Sequence, residues 1–119
     1  MSFQAKPRSQ ELLRGIQSVQ ECHRSCVETF EYVLRAGGQH ASAEHVCTLS
    51  DCAEVCMTTL TFMLRSSRFY PKLVSVCAEV CEACATLCER MAGDKQIQAC
   101  AATCRSCAQA CRLASSQGG

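Results

Sequence analysis

Large aliphatic and aromatic side chains are scarce in this chain. Val, Ile, Leu and Phe together supply 23 of its 119 residues, and there is no Trp. That is thin for an ordinary globular core. The chain also lacks a charge excess. Lys+Arg number 12 and Asp+Glu 11, a net charge of +1. An electrostatic nucleic-acid binder needs a strong basic surplus, and a disordered chain usually carries high net charge, so neither class fits. No apolar run approaches the ~20 residues that cross a bilayer, so no membrane span is expected. The N-terminal stretch MSFQAKPRSQELLRG has no apolar export region, no twin arginine and no small-residue cleavage site. A cytoplasmic location is therefore expected, with export the alternative for a trimmed chain.

What is abundant is cysteine, 13 residues, followed by alanine, 15 residues. Together they make up much of the 48% hydrophobic content. Cysteine behaves as a small hydrophobe when buried. The missing aliphatic core therefore has to be a cysteine and alanine core. In a reducing compartment such a density of thiols points to metal rather than to disulfides.

Four helical segments are legible, at about 9–36, 43–66, 71–92 and 95–114, within one domain spanning 1–119. Ser9, Ser42 and Asp94 are favourable N-caps, Pro71 suits a first helical position, and Gly37-Gly38 and Gly93 stop helices. No segment alternates as a strand does. Short breaks imply antiparallel neighbours, so the expected fold is all-α, an antiparallel up-down-up-down four-helix bundle with a cysteine-lined core.

The cysteines repeat. Cys77, Cys81, Cys84 and Cys88 are spaced C-x3-C-x2-C-x3-C, and Cys100, Cys104, Cys107 and Cys111 repeat the spacing 23 residues on. Offsets of 0, 4, 7 and 11 stay on one helix face, within about 60°. The first helix carries the same register as Cys22, Cys26, Thr29 and Val33. The second carries it as His45, Leu49, Cys52 and Cys56. Cys47 breaks the pattern, about 140° from Cys52 on an ideal helix. Either the second helix starts irregularly or Cys47 lies off the stripe.

Thiols at i and i+4 point the same way and can grip one soft cation between them. Thiolate-only sets favour Cu(I), Zn(II) and iron–sulfur clusters. A Cu(I) that replaces a thiol proton leaves the charge unchanged, whereas Zn(II) with four thiolates carries a net charge of about −2, costly to bury repeatedly. The spacing is mid-helix and continuous rather than the knuckle spacing of zinc sites, and a four-iron cluster needs only four converging thiolates. Multiple Cu(I) ions per chain fit best. A zinc- or redox-buffering thiol protein and a disulfide-stapled helical interaction module remain the alternatives. No general base stands beside a nucleophile, so an enzyme is not expected.

The segments CAEVCEACATLC (Cys77 to Cys88) and CAATCRSCAQAC (Cys100 to Cys111) resemble the bacterial copper storage proteins. The resemblance extends over essentially the whole chain. It implies a four-helix bundle filled with thiolate-bound Cu(I), assembled as a homotetramer. By position it implies the pairs Cys22/Cys26, Cys52/Cys56, Cys77/Cys81, Cys84/Cys88, Cys100/Cys104 and Cys107/Cys111, with Cys47 as an unpaired metal-site candidate. The loop histidines that cytosolic members often carry between the last two helices are absent from Met91–Gln98. One end of the bundle should instead gather His40, His45, Cys47 and Met91. Imidazole and thioether are soft enough to hand Cu(I) on to thiolates. His45, Met91 and His40 are therefore the candidate metal-entry residues. The opposite end gathers Leu12, Phe62, Phe69, Tyr70 and Leu73 as an expected apolar plug. A small thiol or a copper chaperone is the expected partner for loading and release.

Overall fold

A computed structural model describes residues 8–118. It contains four α-helices, α1 (Gln10–Ala36), α2 (Ala43–Leu64), α3 (Tyr70–Glu89) and α4 (Lys95–Gly118). Three of the helices, α1, α2 and α4, start where a side chain takes up a free N–H group, and α3 opens with Pro71 in its first turn instead. Ser9 Oγ accepts from the Leu12 N–H at 3.1 Å, Ser42 Oγ from His45 at 3.3 Å, and Asp94 Oδ1 from Ile97 at 3.0 Å. Each cap satisfies a donor that the first turn leaves without a partner. α1 ends at Gly37, whose φ of 69° side chains tolerate poorly, and a 3-10 turn Gly38–Ala41 leads directly to α2. That turn matters later, because it holds His40.

α1 packs against α2 and α4, and α3 packs against α2 and α4, so α1 faces α3 and α2 faces α4 across the diagonals. The bundle is a rod of 61 × 22 × 20 Å. It is narrow because its interior side chains are small. Ala53, Ala78, Ala85, Ala101 and Ala108 are buried among cysteines. Helix separation follows the size of the side chains at the contact, so alanine and cysteine let the axes approach closely. Sulfur atoms on opposite helices consequently meet: Cys22 Sγ of α1 lies 3.9 Å from Cys81 Sγ of α3.

The two ends differ. At the end holding the α2–α3 connection, Leu12, Ile16, Met63, Val74 and Ala114 are buried and close the interior. Gly15 makes room for Met63: a Cβ at that position would lie 2.6 Å from Met63 Cε. The apolar plug expected from Leu12, Phe62, Phe69, Tyr70 and Leu73 is only partly realised, with Leu12 buried. Phe69 is 49% exposed and lies under the Arg68 guanidinium. The chain turns sharply at Ser66, with φ of 51°, and this carries Phe69 to the outside before α3 begins. At the other end the α3–α4 turn is clamped by Gln98, whose side-chain amide donates to the Cys88 and Met91 carbonyls at 3.0 and 2.9 Å. Tyr32 OH donates to Asp94 Oδ2 at 2.5 Å and ties α1 to the same turn. No helix among the described residues is long and apolar enough to cross a membrane.

Candidate metal centre

Twelve of the thirteen cysteines are fully buried, and all thirteen are free thiols. They form a continuous column rather than separate sites. Cys22 Sγ lies 3.9 Å from Cys52 and 3.8 Å from Cys104. Cys26 lies 3.7 Å from Cys104 and 4.0 Å from Cys100. Lower down, Cys52 and Cys81 are 3.7 Å apart, Cys56 and Cys77 are 3.7 Å apart, and Cys107 and Cys111 are 4.0 Å apart.

Three groups of four sulfurs lie close enough to share one cation each: Cys22, Cys26, Cys52 and Cys104; Cys22, Cys52, Cys56 and Cys81; and Cys56, Cys77, Cys81 and Cys107. Neighbouring groups share two sulfurs, Cys22 with Cys52 and then Cys56 with Cys81. Isolated tetrahedral sites would not overlap in this way. A ladder of bridging thiolates would, each sulfur serving more than one ion.

Cys84, Cys88 and Cys100 continue the column toward the α3–α4 turn. Hydrogen bonding from Cys100 and Cys84, together with burial, pushes the Cys88 thiol well above its ordinary pKa. Cys107 and Cys77 do the same to Cys111 at the opposite end. Burial disfavours the charged form at both of these sulfurs, and a neutral thiol packs there as a small hydrophobe. A soft metal ion reverses this balance by taking the proton's place.

Cys47 is not brought into the column. It is exposed on α2. The helix runs regularly from Ala43, so Cys47 keeps its place well round from the stripe, which decides between the two sequence alternatives. The cations lie outside as well. Arg105 holds Glu89 in a two-pronged pair, with Nη2 to Oε1 at 2.7 Å and Nε to Oε2 at 3.1 Å, and Arg112 pairs with Glu82. These arginines pull both carboxyl groups below the usual carboxylate range. The hydrogen bonds of both arginines go to surface groups and not to sulfur, so the column itself holds no paired cation and suits an ion that adds no net charge on binding.

The entry candidates do assemble. His45 is 1% exposed, Nε2 facing Cys88 Sγ at 3.4 Å, Nδ1 facing the His40 carbonyl at 2.8 Å. A carbonyl can only accept, so Nδ1 carries the proton and Nε2 of the neutral ring presents a lone pair to the thiol. One step further out, His40 Nδ1 lies 3.3 Å from Met91 Sδ. Met91 is half-buried against the core. The His40 imidazole and the Met91 thioether thus lie together outside the buried His45, which meets the thiol at the top of the column. His23, next to Cys22 in sequence, is not part of this series; its Nδ1 lies 2.8 Å from the Ala53 carbonyl, between α1 and α2. Thr59 escaped the sequence reading. It continues the α2 stripe beyond Cys56 and is fully buried. Its register was the available signal.

The chain is similar to known proteins in sequence and fold. The family model described as copper storage protein matches residues 8–116. The Nmul_A1745 protein of Nitrosospira multiformis has a similar crystal structure, with a TM-score of 0.85 and 42% identity, over 91% of this chain and 97% of that one. The Cu(I)-bound copper storage protein BsCsp3 superimposes with a TM-score of 0.81 at 30% identity, over 87% of this chain and 96% of its own. A cysteine-rich protein of Bacillus subtilis, YhjQ, is 32% identical over 73 residues, 61% of this chain and 68% of that protein. With the family model covering nearly the whole chain and the buried cysteine column in place, this chain belongs to the copper storage protein family.

Proposed function

We propose that this protein stores Cu(I), taking up multiple ions per chain as thiolate complexes along the twelve buried cysteines. The observation that carries the reading is the sharing of sulfurs between adjacent four-sulfur groups. Shared thiolates let the ion count approach the cysteine count, and each Cu(I) replaces one thiol proton, so the interior stays neutral. The Cu(I)-bound relative supports the choice of metal. Cys47, exposed on the outer side of α2, is given no part in the store.

Ions enter at the end formed by the Gly38–Ala41 turn and the α3–α4 connection. His40 and Met91 hold an incoming ion, and His45 Nε2 exchanges it with Cys88 for the thiol proton, which then leaves for solvent. The closed opposite end, with Leu12, Ile16 and Met63 buried, supports a single direction of filling. Release goes to a competing small thiol or a copper chaperone. The column of equivalent ligands suits capacity rather than turnover, and the protein acts as a store and not as an enzyme. It works as one folded unit, in the cytoplasm, as a homotetramer by resemblance to its family.

The test is selective loading under anaerobic conditions. The protein is offered Cu(I) and Zn(II) together, desalted and analysed for both elements. Retained copper far in excess of zinc is expected. Retained zinc with little copper would replace this reading by zinc buffering.

A further inference from the structure

Thr59 is fully buried, and its hydroxyl is the one fully buried side-chain oxygen or nitrogen among the described residues without a hydrogen-bond partner. A buried hydroxyl in that condition is costly and rare in native proteins. Its place is specific. Thr59 follows Cys56 by three residues on α2, about 60° round the helix, and continues the inward stripe Cys52, Cys56, Thr59, Met63. Residues three apart on a helix have Cβ atoms about 5–6 Å apart. Thr59 therefore sits at the closed end of the column, beyond Cys56, whose sulfur is 3.7 Å from that of Cys77. Both sulfurs belong to the lowest four-sulfur group.

A neutral thiol is a weak acceptor, and a thiolate is a strong one. The hydroxyl thus lacks a good acceptor in the metal-free protein and gains one only when metal binding turns a neighbouring sulfur into a thiolate. We infer that Thr59 is a positioning residue of the copper store: its hydroxyl donates a hydrogen bond to a thiolate of the lowest sulfur group once Cu(I) is bound there. The chemistry balances simply. Each Cu(I) forms bonds to sulfur, the displaced thiol proton leaves for solvent, and the Thr59 hydroxyl keeps its own proton and shares it with the thiolate. Nothing is oxidised or reduced. The metal-free protein carries the strained hydroxyl, and the loaded protein recovers it as tighter retention of the innermost copper.

This rests on the Cu(I)-storage reading, and the test separates the two. T59V keeps the shape and removes the hydroxyl; T59S keeps the hydroxyl. Thermal midpoints of all three proteins are measured metal-free and after anaerobic Cu(I) loading, with ions per chain counted on the same samples. Loss of one hydrogen bond to a charged sulfur should loosen the last-released copper roughly tenfold toward a competing chelator. T59V is expected to melt at or above the wild-type temperature when metal-free, to gain less from copper, and to release its last ions at lower chelator concentration. T59S is expected to keep the wild-type gain and retention. The inference is overturned if T59V melts lower when metal-free, or if the gain from copper and the release curve match the wild type. A wild type that loads no copper would instead overturn the storage reading itself.

Discussion

His45 Nε2 faces Cys88 Sγ at 3.4 Å, deep in the bundle, with its other ring nitrogen committed to the His40 carbonyl. The pair joins a surface turn to the top of the sulfur column. Its partner at the surface, His40 beside Met91, completes a path of soft ligands about two residues deep.

Removing that path should slow filling without reducing capacity. In H45A combined with M91A, initial Cu(I) uptake measured by stopped-flow absorbance is expected to fall several-fold, while the final number of ions stays the same. Unchanged uptake rates would show that copper enters elsewhere.

The sharing of sulfurs makes individual cysteines unequal. Cys22 and Cys52 each belong to two of the four-sulfur groups, whereas Cys47 belongs to none. C22A should lower the copper plateau by more than one ion per chain, and C47A should leave it unchanged. Elemental analysis of the loaded variants reads both. Equal losses in the two variants would contradict the geometry.

The metal-free protein should already be folded. Neutral thiols pack as small hydrophobes, and twelve of them are fully buried. Far-UV circular dichroism of the metal-free and loaded proteins should be nearly the same, while the thermal midpoint rises on loading because copper binds the converged thiols of the folded state more tightly than those of the unfolded chain. A coil-to-helix transition on adding copper would instead indicate metal-driven folding of the zinc-finger kind.

The α3–α4 turn gives the protein an acid-sensitive clamp. Hydrogen bonds from Tyr32 and from the Ile97 backbone hold the Asp94 carboxyl below its ordinary range. A depressed folded-state value means that the stabilisation is present above the unfolded carboxylate value, about 3.9, and is lost as pH falls through the folded one. Tyr32 shows the converse, its hydroxyl raised by Asp94. Its share is present below about pH 10 and fades as pH rises through the folded value. In thermal melts from pH 3 to 7, the advantage of wild type over D94N should shrink toward acid. A gap that stays constant with pH would place the clamp elsewhere.

Helix identity and the cysteine stripes were readable because offsets of 0, 4, 7 and 11 are a property of one helix. Helix ends were readable as well, starts from the N-caps Ser42 and Asp94 and a stop from Gly37, because capping chemistry is local. Which sulfur meets which was not. Cys22 finds Cys52, Cys81 and Cys104 through the axial stagger of four helices, and that stagger depends on loop geometry. His40, His45 and Met91 were expected together at one end and lie there, but the contact between His40 and Met91 depends on a 3-10 turn with no clear sequence mark. Phe69 was expected inside and lies half outside, because one positive-φ residue, Ser66, redirects the chain. The sequence left Cys47 with two alternatives, and the regular start of α2 at Ala43 decides between them.

The central claim is that the buried column holds many bridged Cu(I) ions rather than a few separate ones. An anaerobic Cu(I) titration against a competing chelator, with ions counted per chain, tests it most directly. The account expects a plateau near one ion per buried cysteine, of which there are twelve. A plateau at about three, the limit for separate four-thiolate sites, would contradict it.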